Sequence, residues 1–151
     1  MPTGSPPAQI KPSSLDDYLD VMSKAVFQSG ISWKVVEAKW PGTREAFFDF
    51  DVRKVAALNE KDIDDLSQDT RVIRNYRKLN AIVFNAQKML SLDEEYDGFQ
   101  NYLRSQDDFD STLNMIRRDF KFMGPMGIYY FLYVVGEDVP PHEEFEAAYR
   151  K

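Results

Sequence analysis

Apolar residues recur at helical spacing along most of the chain. The longest stripe comprises Leu79, Ile82, Val83, Ala86, Met89 and Leu90. Because these residues are separated by multiples of about one helical turn, they share one face of a helix. Two shorter stripes are Leu15, Leu19, Met22 and Val26, behind the cap residues Ser13 and Ser14, and Phe109, Leu113, Ile116 and Phe120. The pattern predicts helices at these places, and no alternating run predicts a strand.

Cap residues and helix breakers predict where the other helices begin and end. Ser32 is expected to cap a second helix through Lys39, because Pro41 and Gly42 interrupt helices. The remaining predicted elements are short helices at 43–49 and 51–58, a helix from Asn59 to Gln68, an apolar helix at 126–136 and a polar helix from Pro140. The predicted fold class is all-α, a single globular helical domain of eight to ten helices around the apolar one.

The start of the chain differs from the rest. Residues 1–13 contain four prolines and show no helical period, which is typical of a mobile segment. The remaining residues suffice for one core. The predicted organisation is therefore a flexible Pro-rich arm at 1–13 and one helical domain at 14–151.

Composition excludes several classes of protein. The chain has 151 residues and no cysteine, which excludes disulfides, thiolate zinc sites and cysteine-held iron–sulfur clusters. The longest apolar run, 126–136, has about half the residues needed to cross a bilayer. We therefore expect no membrane association, and the lack of a signal peptide favours the cytoplasm.

The charge distribution bears on nucleic-acid binding. The net charge is −6, from 19 Lys and Arg against 25 Asp and Glu, whereas nonspecific DNA binders are usually basic. Basic residues nevertheless concentrate in two short segments, 71–78 and 117–122. Two compact basic segments in an acidic chain can still bind a few phosphates.

The segment "RRDFKFMGPMGIYYF" is the first candidate site. A tight turn with Gly124 and Gly127 joins two predicted helices, in the form of a helix–hairpin–helix. Glycine lets the backbone approach a phosphate closely, and the free N–H groups that open the next helix bind anions. Lys121 stands just before this turn. An ordinary helix–helix turn with a glycine cap fits the same residues.

Trp33 is the second candidate, because it opens a helix directly after "QSGIS". An aromatic face can stack on a base that has been removed from a duplex. A tryptophan packed in the core is the alternative interpretation.

The acidic segment "GEDVPPHEEF" is the third candidate. Asp138, Glu143 and Glu144 follow the apolar helix there, and a carboxylate at the mouth of a cleft can stabilise a cationic sugar or activate water. An acidic, solvated helix start is the alternative. His142 is the only histidine and does not form a metal site by itself, since structural zinc takes about four ligands.

Four separated motifs together resemble the DNA-3-methyladenine glycosylase I family of the helix–hairpin–helix DNA glycosylase superfamily. They are "FQSGISWKVV", "AFFDFDVRKVAAL", "VIRNYRKLNAIVFNAQKML" and "FKFMGPMGIYYFLYVVG". The resemblance covers about 19–136. It implies that Trp33 and the neighbouring Gln28 lie in a base-binding pocket, and that the hairpin lies along the DNA backbone with the basic residues Arg71, Arg74, Arg77 and Lys121.

The same resemblance marks this chain as a divergent member. Family members carry a base-contacting glutamate eight residues before the pocket tryptophan, where this chain has Ala25. Their terminal zinc ligands have no counterpart either, so neither metal nor cofactor is expected. Many members of the wider superfamily place a catalytic aspartate seven residues after the glycine that ends the buried helix. The position seven residues after Gly136 is Glu143. The position of the lyase lysine is Ile128.

These observations predict a monofunctional DNA N-glycosylase that excises a damaged base, an alkylated purine, in base-excision repair. Its predicted partner is double-stranded DNA with a damaged base, bound by a monomer. Trp33 stacks on the flipped base, and Glu143 stabilises the sugar cation or positions water. The alternative is a non-catalytic helix–hairpin–helix DNA-binding or lesion-recognition module, which Ala25 and the acidic net charge favour. A protein-interaction domain is a third possibility.

Overall fold

The computed structural model describes residues 6–149, and these residues form nine α-helices and one 3-10 turn without a strand. The helices are α1 Leu15–Gln28, α2 Trp33–Ala46, α3 Val52–Ala56, α4 Glu60–Leu66, α5 Tyr76–Glu95, α6 Phe99–Leu103, α7 Phe109–Asp119, α8 Pro125–Val134 and α9 His142–Tyr149, with the 3-10 turn at Phe48–Phe50. The predicted all-α fold class is confirmed.

The core forms where α1 packs against both α5 and α8. The predicted apolar stripes face inward: Leu19, Leu79 and Ile82 are fully buried. Helix α8 is buried along most of its length, including Ile128 and Phe131. This agrees with its almost uninterrupted apolar sequence, since a helix that is apolar all round belongs inside a core.

Helix α2 does not end where the sequence predicted. It continues through Pro41 to Ala46, so the predicted end at Lys39 and the separate helix at 43–49 are wrong. Trp40 is buried and stacks on Phe50, with ring centroids 5.4 Å apart. The packing of Trp40 offsets the effect of Pro41, since a proline inside a helix destabilises it by about 3 kcal/mol. Gly42 does not end the helix as predicted. It allows close packing, because a Cβ there would lie 2.9 Å from the carbonyl oxygen of Arg71.

The N-terminal segment lies against the end of α8. The backbone N–H of Ile10 donates to the carbonyl of Val134 at 2.8 Å, and the Gln9 amide donates to the carbonyl of Tyr133 at 2.9 Å. These bonds satisfy carbonyls that a helix end leaves free. Residues 1–5 of the predicted arm lie outside the described part of the chain, and the division at 13/14 stays a prediction. None of the described helices is long and apolar enough to cross a membrane.

Candidate functional site

A cavity of about 280 Å³ lies between the end of α1, the start of α2 and the turn that precedes α8. Its lining residues are Ala25, Gln28, Ser29, Trp33, Phe122, Gly124, Pro125, Met126, Gly127 and Tyr130. The structure thus brings Trp33 and Gln28, from one motif, together with both hairpin glycines, from another. The described residues that line this cavity, hereafter the aromatic pocket, include no charged side chain.

Local backbone geometry places Trp33 at the mouth of the aromatic pocket. Gly30 has a φ of +77°, which L side chains rarely adopt, so glycine suits this turn after α1. Trp33 is then the first residue of α2. Its ring is half-buried and meets Tyr130 edge-on, with centroids 5.2 Å apart and planes at 70°. One side of the ring is therefore fixed by packing while the ring still borders open space.

The buried Lys78 holds the turn that carries Gln28. Its side chain is only 5% exposed, and its ammonium donates to the carbonyl of Phe27 at 3.3 Å and to that of Ser29. Burial lowers the pKa of Lys78. A cation at the C-terminal end of a helix also interacts favourably with the helix dipole. Lys78 thus anchors the end of α1 and is a positioning residue that the sequence did not reveal.

Two polar groups face each other in the aromatic pocket. The amide nitrogen of Gln28 is buried and has no hydrogen-bond partner in good geometry among the described residues. Its polar neighbour is the hydroxyl of Tyr130. Burial is the largest influence on this hydroxyl and, together with the nearby negative charge of Glu37, raises the pKa of Tyr130 to about 12, although the Gln28 side chain lowers it. Tyr130 therefore stays protonated at neutral pH.

The turn before α8 is braced from the core. Asn85 is 1% exposed, and its side chain accepts from the backbone N–H of Lys121 at 2.9 Å and donates to the Lys121 carbonyl at 3.1 Å. The next residue, Phe122, has a φ of +58° and is 37% exposed. A left-handed non-glycine residue costs about 1 to 2 kcal/mol, so the brace must hold it. Phe122 thereby presents its ring at the pocket.

Gly124 immediately precedes α8 as its N-cap residue and leaves room for a ligand. A Cβ at Gly124 would meet no atom within 4 Å, so the backbone is open to solvent there. Pro125 has no N–H, and the next two amides, of Met126 and Gly127, belong to the first helical turn that has no partner within the helix. These free donors at a helix start suit an anion such as phosphate.

The predicted basic residues do not form one cluster. Arg77 lies over the Phe122 ring, 5.7 Å from its centroid, and so stands beside the hairpin. Lys121 instead directs its ammonium to the Phe84 ring at 4.3 Å. Arg74 is exposed.

Arg71 is engaged away from the hairpin. It pairs with Asp69 at 2.7 Å and with Glu45 at 3.0 Å. Hydrogen bonds to Asp69, and secondarily to Glu45, raise the pKa of Arg71 above its usual value. Its guanidinium is therefore less available to a phosphate than that of Arg77.

Glu143 lies outside the aromatic pocket. It is exposed in the first turn of α9, and it is absent from the residues that line the pocket. Helix α9 is held through Phe145, which stacks on Tyr129 at 4.3 Å. Asp138 borders a separate cavity of about 500 Å³. A catalytic role for Glu143 stays a prediction.

Three departures from the family and superfamily patterns are visible among the described residues. Ala25 is buried and borders the aromatic pocket, and a Cβ at Gly127 would lie 3.7 Å from the Ala25 Cβ. The pocket therefore lacks the carboxylate that the resemblance implies. Ile128 is fully buried. Within 6–149 no group of three or more His, Asp or Glu could hold a metal, so these residues do not fit the zinc site of family members.

An aromatic pocket beside a helix–hairpin–helix turn with free amides can hold DNA by a phosphate and accept a base removed from the stack. This combination defines a helix–hairpin–helix DNA glycosylase. The chain belongs to the methyladenine glycosylase family, whose model matches residues 16–115. The predicted family, the DNA glycosylase function in base-excision repair and the hydrolysis of N-glycosyl bonds are thereby confirmed, and DNA is the partner.

Individual relatives agree with this assignment. The chain is 32% identical to DNA-3-methyladenine glycosylase 1 of Escherichia coli K12, over 72% of this chain and 70% of the relative. It is 38% identical to DNA-3-methyladenine glycosylase of Haemophilus influenzae, over 52% of this chain and 42% of that one.

Solved structures show the same fold. A variant of 3-methyladenine DNA glycosylase I in complex with 3-methyladenine superposes with a TM-score of 0.74 at 25% identity, over 85% of this chain and 81% of the other. 3-Methyladenine DNA glycosylase I from Staphylococcus aureus, whose structure concerns 3-methyladenine recognition, superposes with a TM-score of 0.71 at 25% identity. The match covers 88% of this chain and 79% of the other.

Proposed function

We propose that the substrate of this DNA glycosylase is double-stranded DNA that contains a cationic N-alkylated purine. The observation that carries the proposal is the aromatic pocket without a charged lining residue. Such a pocket supplies no acid to protonate a neutral base, so the base must already be a good leaving group before it enters the pocket. A purine alkylated on a ring nitrogen does so, because it is already positive, and aromatic faces attract a cation.

The proposed reaction is a hydrolysis. The bond between C1′ of the sugar and the ring nitrogen of the base breaks, and its electron pair neutralises the charge of the alkylated base. Water adds its oxygen to C1′ and releases one proton, which leaves a free neutral base and an abasic strand. Ile128 stands at the lyase position and cannot form a Schiff base, so the strand stays intact.

Each part of the site has a proposed task. The free amides after Gly124 and the exposed Arg77 hold phosphates. Trp33 stacks on the flipped base, and Gln28 bonds to its edge. The sugar of the flipped nucleotide stays outside the aromatic pocket, so a carboxylate that stabilises its cation need not line the pocket. Glu143 is the proposed carboxylate. The enzyme is proposed to act as a monomer in the cytoplasm.

A non-catalytic lesion-recognition module is the second candidate. Ala25 favours it, because it removes the one carboxylate that would border the base. Both candidates bind damaged DNA, but only the enzyme releases a base.

A base-release assay distinguishes the two. Duplex oligonucleotides containing alkylated adenine, hypoxanthine or uracil are incubated with the protein, and both bound DNA and free base are measured. We expect release of the alkylated adenine alone, since the other two bases are neutral and leave poorly without an acid. Tight binding of the alkylated duplex without release of a base would show that the protein is a non-catalytic lesion-recognition module.

A further inference from the structure

A second cavity, of about 780 Å³, also borders Trp33. Its walls come from the N-terminal segment and from α1, α2 and α8, and it shares only Trp33 and Tyr130 with the aromatic pocket. None of the described residues of the hairpin turn, 121–127, lines it. The contact between the Trp33 and Tyr130 rings therefore separates the hairpin side of the site from the side of the N-terminal segment.

Basic side chains from three separate elements meet at this second cavity. They are Lys11 of the N-terminal segment, Lys24 of α1, and Lys34 and Arg44 of α2. No two of them are neighbours in the chain, so the sequence did not reveal them as a basic segment. The fold alone brings them together, beside the tryptophan of the aromatic pocket.

The acidic residues of the second cavity are already engaged. Arg44 pairs with Asp20 at 2.7 Å, and Lys24 pairs with Glu37. The remaining acid of the cavity, Asp17, accepts two hydrogen bonds at the start of α1. These contacts leave two of the four basic side chains without an acidic partner.

The two basic residues that remain are Lys11 and Lys34. Both are exposed, and neither makes a hydrogen bond or an ion pair with another described residue. Lys34 directly follows Trp33, and the first turn of α2 contains no acidic residue. Lys11 follows Ile10, whose backbone N–H is bonded to α8. Their ammonium groups are therefore free to form charge-assisted hydrogen bonds with an anion.

A base that enters the aromatic pocket requires DNA backbone on both sides of the pocket mouth. The flipped nucleotide stays in its strand, so one of its two flanking phosphates lies on each side of the base. The free amides of the hairpin and the nearby Arg77 serve one side. On the other side the site ends at the first turn of α2, where Lys34 lies.

We propose that Lys34 and Lys11 form a second phosphate-binding surface, which holds the damaged strand on the side of the flipped nucleotide away from the hairpin. The proposal rests on the proposed function, because it assumes that the base enters the aromatic pocket. Holding both flanking phosphates fixes the register of the strand and the position of the sugar over the pocket.

The salt dependence of duplex binding tests the two lysines. Lys34→Gln and Lys11→Gln should each lower the slope of log affinity against log salt concentration by about one unit, because one phosphate contact is lost. Lys39→Gln is the matched control on the same helix. Its ammonium donates to the carbonyl of Thr70 at 2.7 Å and does not line the second cavity, so its slope should match that of the unmodified protein.

Uncharged phosphates locate the contact on the DNA. A duplex with one alkylated adenine receives a single methylphosphonate either 5′ or 3′ to that nucleotide, and single-turnover release gives the half-saturating protein concentration. For the unmodified protein, either substitution should raise this concentration about tenfold, since each removes a hydrogen bond to a charged group. In Lys34→Gln one of the two substitutions should lose its effect, and in Arg77→Gln the other one should.

Two results would overturn the second surface. One is an unchanged salt slope in the folded Lys34→Gln and Lys11→Gln variants. The other is that Lys34→Gln and Arg77→Gln abolish the effect of the same methylphosphonate, which would place both residues at one phosphate. Neither result bears on the proposed function, which fails only if the unmodified protein releases no base from the alkylated duplex.

Discussion

Trp33 shows how far a single residue can be interpreted from sequence. Gly30 and Ser32 predicted that it opens a helix, and the structure confirms this. Its placement beside Tyr130 and Phe122 could not be predicted, because it depends on contacts across about 90 to 97 positions of the chain. The exposure of Phe122 could not be predicted from the sequence either, since it follows from a left-handed φ that Asn85 stabilises from another helix.

Removing the Trp33 ring tests the stacking role. Trp33→Ala should weaken capture of the damaged base by about 1 to 3 kcal/mol, the usual cost of losing one stacked ring. Trp33→Phe is the matched control and should retain part of the effect. Competition binding of lesion-containing against undamaged duplex gives the difference directly. An equal loss on both duplexes would mean that Trp33 supports the fold instead of the base.

Glu143 tests whether the protein supplies a catalytic carboxylate. Glu143→Gln keeps the size and removes the charge, so we expect damaged-base binding to survive while release slows on the order of a hundredfold. Single-turnover base release measures this. Glu144→Gln is the control, since Glu144 is also exposed in the first turn of α9. Full activity in both variants would assign the chemistry to the charge of the alkylated base alone.

At the scale of elements, the apolar stripes predicted the long helices, but they predicted neither the true end of α2 nor the presence of α6. Helix α2 passes through Pro41 because Trp40 packs in the core. The five-residue helix α6 was missed, since its start depends on a bond from the Phe99 N–H to the Asp93 side chain at 2.8 Å and on a φ of +132° at Gly98. The spacing of apolar residues predicts that a helix forms, whereas tertiary contacts decide where it ends.

The hairpin is the element that should control affinity for DNA. Gly124→Val should weaken duplex binding regardless of sequence, because the new side chain would stand where a phosphate approaches. The fold should tolerate it, since a Cβ there meets no atom within 4 Å. Gly127→Ala is the milder comparison, as its Cβ makes only an ordinary contact with Ala25 at 3.7 Å. Unchanged affinity in a folded Gly124→Val protein would place the DNA site elsewhere.

The arginines provide a matched control for the same surface. Arg77→Gln should reduce the salt dependence of binding by about one unit, because one phosphate contact is lost. Arg71→Gln should have a smaller effect, since Arg71 is already paired with Asp69 and Glu45. The slope of log affinity against log salt concentration measures both. A larger change in Arg71→Gln than in Arg77→Gln would contradict the structural placement.

At the scale of the whole molecule, the core forms from helices alone. Helix α1 buries its apolar stripe against α5 and α8, and the described residues offer no cluster of metal ligands. We therefore expect the protein to fold without zinc. Elemental analysis and thermal unfolding with and without a chelator test this, and the two unfolding curves should coincide. Stoichiometric zinc with unfolding on chelation would refute the expectation.

Single-turnover reaction with a duplex that carries one alkylated adenine tests the central claim most directly. Free base, strand breaks and covalent adducts after borohydride are measured in the same reaction. The account predicts stoichiometric release of the alkylated base, a strand that breaks only after alkaline treatment, and no trapped adduct, because Ile128 cannot form a Schiff base. Stable binding with no free base, or a borohydride-trapped protein–DNA adduct, would contradict it.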